Sequence, residues 1–183
     1  MRYFFGILVA IGLILLVIVL IISGGNHKPL AQVPVTSYAN STTETRLTID
    51  GPLNDPADHR QIEITVGRDQ TIFNILTGYD GSVLSTESYP MTENAYGAFL
   101  QALQLLKYNQ GNTAPALQDE RGYCPLGDRY IFEIVNADGK KIEHFWSTSC
   151  GGAATFKGQS SEVVQIFEAQ VPSYDQLTAD INL

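Results

Sequence analysis

The only two cysteines, Cys124 and Cys150, stand at the ends of a segment that reads as a β-hairpin. Two runs of β-branched and aromatic residues, 130–135 and 142–146, flank Asn136-Ala137-Asp138-Gly139. An Asp-Gly pair between such runs is a strong turn signal, because glycine accepts positive φ without a Cβ clash. Antiparallel strands bring the ends of the segment together, so a disulfide would clip the open end of the hairpin. The bond would close a loop of 27 residues and contribute about 3–4 kcal/mol in the chain-entropy picture. Two rival uses of these residues stay open here. Cys150 could be a nucleophile with His144 as its base, or Cys124, Cys150 and His144 could hold a metal ion. Catalysis needs a thiolate beside an oriented base, and Ser149-Cys150-Gly151-Gly152 supplies no such arrangement alone. A zinc site wants a fourth ligand at short spacing, and none is nearby.

Upstream of the hairpin the pattern is mostly period two. Residues 62–66 alternate cleanly, 71–76 are apolar on both faces, and 82–89 follow a Tyr79-Asp80-Gly81 turn, which predicts a three-stranded meander. Residues 47–50 read as a short first strand. Thr92 is a candidate N-cap, with Glu93 in the first turn and Ala95, Phe99, Ala102, Leu103 and Leu106 on one helical face. Residues 112–122 read as a polar loop. After Cys150, Ser160 or Ser161 is positioned to cap a second helix carrying Val163, Val164, Ile166 and Phe167. The expected fold class is α+β: an antiparallel sheet of about five strands with two helices on one face, preceded by one transmembrane helix.

That last expectation rests on residues 3–22, an unbroken apolar run. Twenty residues at about 1.5 Å each span the roughly 30 Å of a bilayer core. The reading is therefore an anchor over 1–22, a flexible linker over 23–45 rich in Gly, Pro, Ser and Thr, and an extracytoplasmic domain over 46–183. Arg2 favours a cytoplasmic N-terminus, and paired cysteines belong where disulfides persist. The expected localisation is the cell membrane, single-pass, with the bilayer as one partner.

The chain carries a net charge of −8, and all 19 acidic residues lie beyond the apolar run. Without a Lys/Arg cluster, such a body repels nucleic acid, so no nucleic-acid partner is expected. Glu133 and Glu143 read as outward-facing sheet residues, Asp128-Arg129 as a local ion pair, and His59 as solvated. No phosphate loop, metalloprotease helix or EF-hand pattern occurs, and neither an enzyme nor a cofactor is expected.

From Cys124-Pro125-Leu126-Gly127 onward the segment resembles the subtilisin inhibitor-like family. The order of loop, strand, Asp138-Gly139 turn, strand and Cys150 is similar to that family's. The resemblance implies an antiparallel sheet with helices on one side and an exposed protease-binding loop. Leu126 would precede the bond presented to a protease, and Gly127 would follow it. The family's second disulfide has no counterpart, because only two cysteines exist. The functional expectation is a non-enzymatic domain that binds a protein or an envelope component through Pro125, Leu126, Gly127 and Asp128. Tyr123, Tyr130, Phe145 and Trp146 are further candidate anchors. Protease inhibition is the first alternative, and a Cys150/His144 enzyme the second.

Overall fold

Apolar and polar residues alternate along Glu44–Asp50, and this period of two makes strand β1 with one buried face. The computed structural model describes residues 33–183. After a 3-10 segment at Val35–Asn40 come β1, β2 (Arg60–Val66), β3 (Gln70–Thr77) and β4 (Ser82–Pro90). Helix α1 (Glu93–Leu105) follows, then a 3-10 turn at Pro115–Leu117, β5 (Arg129–Val135), β6 (Lys141–Thr148), α2 (Ser160–Glu168) and α3 (Tyr174–Thr178). The strands form one sheet in the order β4-β3-β2-β1-β5-β6, antiparallel at every pairing.

The core is legible in the register. Leu47 pairs with Ile64 on one side and Phe132 on the other; Ile64 pairs with Phe73, and Phe132 with Phe145. All five are buried. On this face lie Tyr96, Phe99, Leu100 and Leu103 of α1 and Val163 and Phe167 of α2, with Phe99 edge-on to Phe167 at 5.2 Å. Thr92 caps α1 as its position predicts, its hydroxyl accepting from Ala95 N. Ser160 instead opens α2 and meets the Ser147 hydroxyl at 2.6 Å, so no side chain caps that helix.

The other face is covered over β5 and β6 by a separate segment. Residues 112–123 cross it as a strap: Trp146 Nε1 donates to Leu117 O at 2.7 Å, and the Tyr123 ring lies 4.7 Å from the indole. Trp146 and Phe145 are therefore core residues, not exposed anchors.

The expected fold class is corrected accordingly. The sheet has six strands, because β1 runs seven residues and pairs on both sides at the centre of the sheet. The transmembrane helix read over 3–22 lies outside the described residues. Among the described residues no helix is long and apolar enough to cross a membrane, and the structure is a six-stranded sheet with few helices. Of the linker read over 23–45, residues 23–32 lie outside the described residues, while 35–40 form the 3-10 segment and 44–45 the start of β1. Val35 is fully buried, and its N–H donates to Gln104 Oε1 at 2.6 Å. Composition hid this, since Val35 and Tyr38 supply apolar contact inside a Pro/Ser/Thr-rich stretch.

Candidate binding surface at one end of the sheet

Antiparallel order places the end of β1, the start of β2, the β3–β4 turn, the start of β5 and the end of β6 at one end of the sheet. The loops there are joined to one another. Leu53 N donates to Pro125 O at 2.8 Å, and Asn54 exchanges backbone bonds with the Tyr79 hydroxyl at 3.0 and 2.8 Å. Leu126 is 88% exposed, Leu53 45% and Tyr79 48%. Val83 and Leu84, just past the Tyr79 turn, are also exposed. Five of the domain's exposed large apolar side chains thus share one rim, the pattern expected of a contact surface rather than of scattered surface leucines.

The rim is held from beneath. Cys124 and Cys150 are disulfide-bonded with Cα atoms 5.7 Å apart, clipping the hairpin as its ends predict. Gly127 N donates to Cys124 O at 3.2 Å, closing a turn with Leu126 at its tip. The Ser149 hydroxyl accepts from Asp128 N at 2.9 Å. A Cβ at Gly127 would lie 2.6 Å from Ser149 Oγ and 2.8 Å from Cys124 Sγ, so only glycine fits against the disulfide. Partial burial pushes the Asp128 carboxyl up, opposed by the Tyr130 hydroxyl and the Arg129 charge.

Deeper lies a charged cluster. Arg129 Nε donates to Asp50 Oδ2 at 2.8 Å, and its Nη2 donates to Gly51 O at 2.9 Å. Asp50 Oδ1 lies 2.8 Å from His59 Nε2 and accepts from Gln61 Nε2 at 3.1 Å. His59 is fully buried and stacked on Tyr79 at 4.1 Å. Neither partner is legible in the sequence: the expected Asp128–Arg129 pair and solvated His59 give way to Arg129–Asp50 and a buried His59 stacked on Tyr79, because these partners lie on other strands and turns. This cluster ties the start of β5 to the loop after β1.

A second cluster latches the strap. His144 Nδ1 donates to Glu133 Oε1 at 2.8 Å and Nε2 donates to Glu120 Oε2 at 3.2 Å. Lys141 and Arg46 also face Glu133, which is buried rather than outward-facing. Hydrogen bonds from Glu120 and Glu133 raise the imidazole to about 9 against burial, and both carboxyls are held low by His144. Burial alone raises Glu143, on the opposite face, to about 7. His144 binds its proton more tightly folded than unfolded. Its stabilisation is therefore complete below the unfolded value near 6.5 and disappears as pH rises through about 9. Thermal melts should show stability falling over that window by on the order of 2 kcal/mol, with the slope largely absent in His144→Gln. Equal slopes in the two proteins would refute the latch.

Neither sulfur is free to act as the nucleophile of the second alternative, and His144 is engaged by carboxylates. The chain matches no family model and no curated protein.

Proposed function

We propose that this is a non-enzymatic binding domain, working outside the reducing cytoplasm, which presents the Leu53–Tyr79–Leu126 rim to a protein or envelope partner. The observation that carries the reading is Leu126, nearly fully exposed at the tip of a turn that the disulfide and Gly127 hold rigid. A rigid apolar tip meets a pocket without paying for loop ordering, and its burial there would remove apolar surface from water. The persistent disulfide supports an oxidising location.

Inhibition of a protease through Leu126-Gly127 is the second reading, favoured by the same rigidity. The Gly127 N–H to Cys124 O bond curls Pro125 and Leu126 into a turn, whereas a bound strand is extended. This places partner binding first.

A photo-cross-linking residue at Leu126 of the full chain, in its own cells, tests the reading. One discrete adduct at position 126, absent at exposed Asp138 on the far end of the hairpin, is expected. The same adducts at both positions would overturn it. If the adduct is a protease that the purified chain titrates stoichiometrically, inhibition replaces the first reading.

A further inference from the structure

We infer that β4 is a self-pairing edge, through which two copies of this chain join antiparallel about Thr86 into one twelve-stranded sheet. Val83 and Leu84 belong to both β4 and the rim, but the pairing is argued from the open backbone edge of β4 and not from the binding reading of the rim.

The two edges of the sheet are treated differently. At β6, Trp146 N donates to Thr155 Oγ1, and Thr155 N and Phe156 N both donate to Trp146 O, so residues 155–156 block that edge at Trp146. At β4, residues 82–88 are all exposed. None of residues 82–90 makes a backbone–backbone bond outside the ladder with β3 among the described residues. The core row ends at Phe73, whose β4 neighbour is the exposed Glu87. Side chains of residues 82–88 are exposed on both faces of β4, so neither face is covered beside the open edge.

Such edges are usually blunted by lysines, an internal proline or a bulge. Here there is no lysine, and Pro90 is the last residue of the strand. A bulge falls at Leu84, since Ile75 pairs with Ser85 but Leu76 with Val83. Residues 85–88 remain regular.

The occupant follows from charge and closure. Each copy carries −8, so contact between copies must keep carboxylates apart. An antiparallel dyad at Thr86 sets Glu87, the only charge in β4, against Ser85 of the partner copy. It also sets Leu84 against Ser88 and Thr86 against Thr86, a favourable cross-strand pair. A foreign strand would leave a new open edge. A second copy uses up both β4 edges about one two-fold axis and leaves the β6 edges, each blocked at Trp146, so the pair closes without growing into a filament.

The test is oxidative cross-linking of the full chain carrying Thr86→Cys, whose added thiol is the one free thiol beside the native disulfide. Residues facing each other on the dyad have Cα atoms about 5 Å apart, within disulfide reach. Ser88 would lie about 13 Å from its own copy, beyond reach. The covalent dimer from Thr86→Cys should exceed those from Ser88→Cys and Asp138→Cys several-fold. Ser85→Cys mixed with Glu87→Cys should cross-link although neither does so alone, a pair that decides the matter if Thr86→Cys misfolds. Equal yields at all positions, no dimer in either test, or capture of a different protein at position 86 would overturn the proposal.

Discussion

Asp50→Ala is expected to destabilise the domain by about 3–5 kcal/mol, because it removes the carboxylate paired with a buried Arg129. The Arg129 side chain is 2% exposed, and the His59 side chain is fully shielded from water. Removing one partner of such a cluster leaves a buried cation without compensation, which costs far more than a surface pair contributes. Asp50→Asn keeps the volume and a hydrogen-bond acceptor and should lose less. The same change should loosen the rim, since Arg129 also holds Gly51 O, two residues from Leu53. Urea unfolding of the two variants measures the first effect, and amide exchange over residues 51–54 the second. A loss below about 1 kcal/mol for Asp50→Ala would show that Arg129 finds water or another anion, and that the rim is not built on this cluster.

Trp146→Ala should cost a similar amount, about 3–5 kcal/mol, the usual range for emptying a fully buried aromatic site. Its distinguishing effect is local. The indole supplies the strap's hydrogen bond at Leu117 O and the surface against which Tyr123 rests. Without it, residues 112–123 retain the Glu120–His144 contact as their main hold on β6. Amide exchange should rise across the strap more than across β1 and β2. Uniform loss of protection would mean that the strap belongs to the core and is not a separately latched element.

Local chemistry explains what was readable in the chain. The hairpin appeared because its turn chemistry and its cysteines lie within one short segment; Gly139 takes φ +73° and its N–H donates to Asn136 O. The Thr92 cap appeared for the same reason. What stayed hidden depends on contacts far apart in sequence. Asp50 and Arg129 meet only because β1 pairs with β5 in a register that sets them side by side. His59 sits in a polar stretch, and its burial comes from Tyr79 across the next hairpin. Glu133 looked outward because β5 alternates, yet the strap covers the face on which it lies. At the candidate site, Pro125–Asp128 were legible from Cys124. Leu53 and Tyr79 were not, since nothing in either segment points to the other.

Both the rigidity of the Leu126 turn and the proposed oxidising location depend on one covalent bond, Cys124–Cys150. Its most direct test is the mass of the full chain, isolated from its own cells under acid quench, after alkylation with and without reductant. The structure predicts no alkylated thiol until reductant is added, then two. Two alkylated thiols without reductant would contradict the account, freeing the turn and removing the ground for placing the domain outside the cytoplasm.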